Sequence, residues 1–267
     1  MSTQTVSAGE QRIADAFANS AKRAALMPYL MGGYPDAATS LAIGQAYADA
    51  GADLVELGVP FSDPLADGPV VHAAGSAALA GGITVDGVLR VADELAPRVA
   101  VVVMCYANLV LARGPERFAG DLAAAGASGL IVPDLPLEEA PVVLAACDAA
   151  GVALVPLVAP TTPDERLRLI GERARGFLYA VSVAGTTGER ATSGSAAADI
   201  IARAAAATRV PVALGFGIST PEQARDAADA GADGVIIGSR LVRAAGEAVD
   251  PVAAVRGLVS AFADALR

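Results

Sequence analysis

The chain has 267 residues, enough to bury a large core and well suited to one α/β barrel. Its net charge of −10 and pI near 4.6, with no basic run to offset them, exclude nucleic acid and anionic lipid surfaces as partners. The mean hydropathy of +0.50 comes mostly from Ala, and the longest apolar stretch, Val99 to Ala112, is broken by Asn108 and too short to span a bilayer.

The N-terminal MSTQTVSAGEQRIADAF has no basic region followed by an apolar run, so no secretory signal is read and a cytoplasmic location is expected. An extra N-terminal helix precedes the first strand. Short apolar runs then follow near Pro28–Met31, Leu54–Leu57, Val99–Met104, Gly129–Val132, Ala153–Leu157, Phe177–Val181, Val210–Leu214 and Val235–Ile237. They lack polar alternation and are separated by Ala-rich helical stretches, the pattern of a parallel sheet covered on both faces. Four of them follow a repeated phrase in which glycine ends a helix: Gly51, Gly126, Gly151 and Gly231. The pairs Pro35-Asp36, Pro115-Glu116, Pro163-Asp164 and Pro221-Glu222 fit first helical turns. Eight strands and no composition break predict a single α/β domain over 1–267, a (β/α)8 barrel.

The scarcest residues narrow the chemistry. The only lysine, Lys22, precedes the first strand, and the only histidine is His72, at an expected helix start. A Schiff-base lysine, a zinc site and a Ser-His-Asp triad are therefore not expected, and no metal is predicted. Cys105, at a strand end, and Cys147, on a helix, fit a reducing compartment without a structural disulfide. Carboxylates, backbone dipoles and tyrosine remain.

Barrel active sites lie at the C-terminal ends of the strands, and three segments there carry polar residues. In VELGVPFSDPLADGP, Glu56 falls inside an apolar strand, while Asp63 and Asp67 lie on a loop stiffened by Pro60, Pro64 and Pro69. A buried Glu satisfied by backbone donors is one reading; the other is a pair, Glu56 and Asp67, whose different surroundings divide acid and base work. The last three loops hold Gly185, Gly188, Gly215-Phe216-Gly217 and Gly238-Ser239. These are either ordinary turn glycines or a phosphate cradle of backbone N–H groups with a helix dipole at Ser239. AGTTGERATSGS, from Ala184 to Ser195, reads as a mobile lid after the sixth strand or as a plain surface loop. Tyr29, Tyr106 and Phe216, at strand ends, either pack the core or shape an aromatic pocket.

Across nearly its whole length the sequence resembles the tryptophan synthase α subunit family. The resemblance runs through PYLMGGYPD from Pro28, ELGVPFSDPLADGP from Glu56, YANLV from Tyr106, PDLPLEE from Pro133, YAVSVAGTTG from Tyr179, GFGI from Gly215 and IIGS from Ile236. It implies retro-aldol cleavage of indole-3-glycerol phosphate to indole and glyceraldehyde 3-phosphate, without metal or Schiff base. Glu56 matches the general acid/base, which protonates indole C3 and later takes the glycerol hydroxyl proton. Asp67 matches the carboxylate that binds the indole N–H. Tyr179 matches an active-site tyrosine near Glu56, and Thr187 a lid residue that orders Asp67. Gly188, Gly217, Gly238 and Ser239 match the phosphate cradle, and Tyr29, Tyr106 and Phe216 the pocket around the indole and glycerol moieties.

The resemblance also implies a β subunit in an αββα heterotetramer, met through Pro60, Asp63, Asn108, Asp134 and Pro136. No cofactor is expected in this chain; pyridoxal phosphate would be the partner's. The chain departs from the family at Val183, where some relatives carry arginine, at Val71-His72 and at Met31-Gly32-Gly33. Two other readings stay open: a free-standing lyase, and a catalytically weak barrel serving as an activating subunit.

Overall fold

The computed structural model describes residues 6–181 and 194–267. In chain order its first half runs α1 (Ala8–Ala18), β1 (Ala25–Met31), α2 (Ala37–Asp49), β2 (Leu54–Gly58), α3 (Pro69–Ala80), α4 (Val85–Leu95), β3 (Ala100–Met104), α5 (Ala107–Arg113), α6 (Pro115–Ala124), β4 (Gly129–Ile131) and α7 (Ala140–Ala150). The second half follows with β5 (Ala153–Val155), β6 (Leu157–Val158), α8 (Asp164–Arg173), β7 (Leu178–Val181), α9 (Gly194–Ala207), β8 (Val212–Gly215), α10 (Pro221–Asp229), β9 (Gly234–Ile237), α11 (Ser239–Glu247) and α12 (Pro251–Ala265).

Every strand pair is parallel, in the order β5-β4-β3-β2-β1-β9-β8-β7-β6. The two ends of that order, β5 and β6, are separated in the chain by Pro156 alone. Proline has no N–H to give to a ladder, so the strand breaks there. Its carbonyl still accepts from Tyr179 N at 3.0 Å. Nine strand segments thus occupy eight barrel positions, the number expected from the sequence, and the sheet returns on itself.

The repeated glycines end helices as expected. Gly51, Gly126, Gly151 and Gly231 have φ of 98°, 68°, 77° and 96°, in a region where a Cβ is disfavoured. Of the Pro-acid pairs, Pro115, Pro221 and their following acids stand in first turns. Asp36 instead caps α2 from outside, its side chain accepting from Thr39 N. The strand bounds shift by a few residues, most at β1, which begins at Ala25 because Ala25 already pairs with Gly234. Two helices rather than one follow β2 and β3, an elaboration the apolar pattern did not reveal.

Alternation along each strand sorts side chains into two layers. Val55, Leu57, Val101 and Val103 face the helices, while Met27, Leu54, Val102, Ile131, Val155, Tyr179, Ala213 and Ile236 fill the barrel. The N-terminal helix α1 closes the barrel floor: Ile13 is fully buried in that interior cluster, and Phe17 meets Phe177 at 6.0 Å between rings. Its close seat depends on Gly9, where a Cβ would come 2.2 Å from the Ser128 carbonyl oxygen. Arg12 adds hydrogen bonds to the carbonyls of Val99, at 3.0 Å, and Ala96. Lys22 lies ahead of β1, where it is spent in a 2.9 Å ion pair with Asp53. No helix of the described residues is long and apolar enough to cross a membrane.

Candidate active site

Alternation along β2 that sends Leu54 into the barrel sends Glu56 there too. Glu56 stands opposite Tyr29 of β1 and Val102 of β3 in the strand register and is 2% exposed. Burial, reinforced by the negative charge of Asp67, pushes its carboxyl up to about 8. Among the described residues its Oε2 atom has no hydrogen-bond partner, although it is completely buried. A structural Glu would be satisfied by neighbouring donors.

Two tyrosines flank this carboxyl, each made possible by a missing side chain. A Cβ on Gly58 would lie 2.0 Å from the Tyr29 Oη, and one on Gly215 would lie 2.3 Å from the Tyr179 Oη. Gly215 therefore serves the tyrosine ring, a role its place beside Phe216-Gly217 did not suggest. Burial raises both phenols well above their ordinary value, so each remains a neutral donor.

Asp67 reaches the same space from the loop between β2 and α3. Tyr106 anchors it: its hydroxyl accepts from Ala66 N at 3.1 Å and hydrogen-bonds the Asp67 carboxylate. Phe61 stacks on the Tyr106 ring at 5.3 Å, and Gly68 and Pro69 lead directly into α3. Burial raises the Asp67 carboxyl, while Tyr106 and the charge of His72 pull it back. His72 sits in the first turns of α3.

The opposite wall comes from the ends of β8 and β9. Phe216 has φ of 66°, in the left-handed region that a bulky residue rarely occupies, and Gly217 follows at 82°. The turn aims the Phe216 ring at Tyr179, 5.8 Å away between centroids. Gly238 precedes α11 without a side-chain cap, so the first N–H groups of the helix have no partner within it.

A single cleft gathers Tyr29, Glu56, Asp67, Tyr179, Phe216, Gly217, Gly238 and Ser239. Tyr106 stands behind Asp67 rather than on the wall. Thr187, Gly188, Gly185 and Val183 lie outside the described residues, as does the expected lid. Val71, noted in the sequence only as a departure from the family, completes the lining with Met104, Ile218, Ser219, Ile236 and Arg240, to which the sequence reading gave no role. Met104 could have been found from period-two alternation with Val102, and Arg240 from its place after IIGS.

The residues expected at a partner interface lie on the same end of the barrel; Pro60, Asp63, Asp134 and Pro136 occupy loops, whereas Asn108, expected in a loop, stands in the first turn of α5. Asp63 and Asn108 are exposed, as is Pro136, while Pro60 is buried. Asp134 accepts from Ala107 N at 2.8 Å and so ties the loop after β4 to the start of α5. Leu65, in the Asp67 loop, is 79% exposed. Cys105 and Cys147 are free and buried. Among the described residues no group of three or more His, Cys, Asp or Glu is placed to hold a metal ion.

Residues 16–264 match the family model described as tryptophan synthase alpha chain. The tryptophan synthase alpha chain of Gloeobacter violaceus is 48% identical over 236 residues, covering 87% of this chain and 86% of that one. The alpha chain of Methanosarcina acetivorans is 44% identical over 237 residues, covering 88% and 86%. A solved Mycobacterium tuberculosis tryptophan synthase structure superposes with a TM-score of 0.90 at 40% identity, covering 98% of this chain and 99% of that one. A chain from the tryptophan synthase a2b2 complex of Pyrococcus furiosus does so at 0.84 and 35%, covering 90% and 98%. The matched span and these identities agree with the barrel and its cleft: the chain belongs to the tryptophan synthase alpha chain family.

Proposed function

We propose that this chain cleaves indole-3-glycerol phosphate to indole and glyceraldehyde 3-phosphate as the α subunit of a tryptophan synthase. The observation that carries the reading is Glu56: a buried carboxyl with an unpartnered oxygen, held mostly protonated at neutral pH, beside a second carboxylate on a pinned loop. Such a carboxyl is ready to act first as an acid.

In the reaction, Glu56 gives its proton to C3 of the indole ring, and the resulting carboxylate takes the proton of the adjacent glycerol hydroxyl. The bond between C3 and the glycerol carbon then breaks, its electron pair returns to the ring, and the hydroxyl carbon becomes the aldehyde. Glu56 ends protonated, as it began. Asp67 accepts the indole N–H and stabilises the positive charge that protonation places on the ring. Tyr29 and Tyr179 surround the acid as neutral phenols, and Phe216 supplies an apolar wall. Gly217, Gly238 and Ser239 offer backbone donors to the phosphate at the N-terminus of α11. Thr187 and Gly188 are assigned by resemblance alone.

The partner is a β subunit in an αββα assembly, docked over the loops that carry Pro60, Asp63, Asp134 and Pro136 and over Asn108 at the start of α5. The exposed Leu65 and Asp63, on the loop that carries Asp67, support that face. Pyridoxal phosphate belongs to the partner, since the one lysine here is paired with Asp53 ahead of β1. The expected location is the cytoplasm.

The test is indole release by purified chain, with and without a β subunit. Slow release alone and faster release in the complex support the reading. Rapid turnover that ignores the β subunit identifies a free-standing lyase, and no release in either state removes the proposed activity.

A further inference from the structure

We infer that Arg240 is a substrate-positioning residue whose guanidinium holds the phosphate of the substrate from the lip of the cleft. The inference rests on the phosphate-bearing substrate proposed above. The donors at Gly217, Gly238 and Ser239 are neutral N–H groups, and the α11 dipole adds about half a unit charge. A phosphate dianion entering a cleft that already holds Glu56 and Asp67, on a chain of net charge −10, meets a repulsive field.

Arg240 is the single cationic residue lining that cleft among the described residues. It is half-buried and stands at the second position of α11, directly after Ser239. In that position a cation opposes the positive end of the helix dipole, whereas acids are the residues favoured there. An anion bound between the helix start and the guanidinium reverses that opposition. Arg113, Arg166 and Arg203 are each held by carboxylates, yet Arg240 enters no ion pair among the described residues. Its planar fork can take two phosphate oxygens while the backbone N–H groups take others.

The test compares the full-length chain with Arg240→Ala and Arg240→Lys, using calorimetric titration of inorganic phosphate and steady-state cleavage of indole-3-glycerol phosphate. For Arg240→Ala, Kd for inorganic phosphate and KM should both rise about 10-fold or more, with the larger share of the kinetic loss in KM. Arg240→Lys should recover part of the affinity, and the salt dependence of phosphate binding should flatten in Arg240→Ala. Kd and KM within about twofold of the parent, in a variant with unchanged circular dichroism, overturn the assignment. A fall in kcat with unchanged Kd also overturns it, because it marks a structural role. If the parent binds phosphate through Arg240 but releases no indole, the cleavage reading fails and the anion site stands. If indole is released and Arg240→Ala is indifferent, the reverse holds.

Discussion

The Tyr106 hydroxyl holds Asp67 by its carboxylate while accepting the N–H of Ala66, the residue before it. One phenol thus fixes both the backbone and the charge of the loop acid. Tyr106→Phe should leave the barrel folded but free the loop end and remove a contact that lowers the Asp67 carboxyl. The acid limb of kcat/KM should move to higher pH, and activity should fall roughly 10-fold, the scale of a lost charge-assisted hydrogen bond. An unshifted acid limb in a pH–rate profile would contradict this role.

Glu56→Gln keeps the shape of the side chain and removes its proton. Indole release should drop by at least about 100-fold, the lower range for a positioned acid/base. Near-normal cleavage by the purified variant would sink the mechanism.

The raised carboxyl of Glu56 sets a pH window for both rate and stability. As the acid, Glu56 must be protonated in the free enzyme, so kcat/KM should decline as pH rises through about 8. A group whose folded pKa exceeds its unfolded value stabilises the fold fully below the unfolded pKa, and that contribution is lost as pH rises through the folded pKa. Wild-type stability should therefore decline from about pH 4.5 to about pH 8 by a few kcal/mol, on the order set by linkage, while Glu56→Gln should not show that loss. Urea unfolding of both proteins across that range provides the check.

Asp67→Asn removes the charge that helps raise Glu56. The Glu56 carboxyl, followed by infrared or carbon NMR titration, should titrate at lower pH in the variant. Cleavage should weaken while affinity for inorganic phosphate stays nearly intact. A Glu56 titration indifferent to Asp67→Asn would show that burial alone sets it.

Two glycine substitutions separate close packing from open space. Gly58→Ala drives a methyl to 2.0 Å from the Tyr29 hydroxyl and should cost about 1–3 kcal/mol together with much of the activity. Gly120, in α6, has nothing within 4 Å of its Cβ position, so Gly120→Ala should stabilise by about 0.5–1 kcal/mol without touching catalysis. Thermal unfolding and indole release read both.

The barrel was legible because apolar runs, Ala-rich helices and helix-ending glycines are local patterns. Even the broken fifth strand was read as one, since Pro156 interrupts hydrogen bonding without ending the run. Glu56 stood out because an ionised carboxylate in an apolar strand is costly, and Asp67 because it lies on a loop stiffened by prolines. Other features depended on contacts between distant segments. The room that Gly58 and Gly215 leave for Tyr29 and Tyr179, the hold of Tyr106 on Asp67, and the seat of Gly9 against Ser128 join residues far apart in the chain. Arg240 carried no signal of its own in the sequence; the ends of β1, β2, β7, β8 and β9 place it on the same cleft as Glu56. The sequence by itself determined which groups were available for proton chemistry and the repeating unit that builds the barrel. Only closure of the sheet decided which groups meet and how far burial raises Glu56, because desolvation and mutual charge depend on distances that no local pattern encodes.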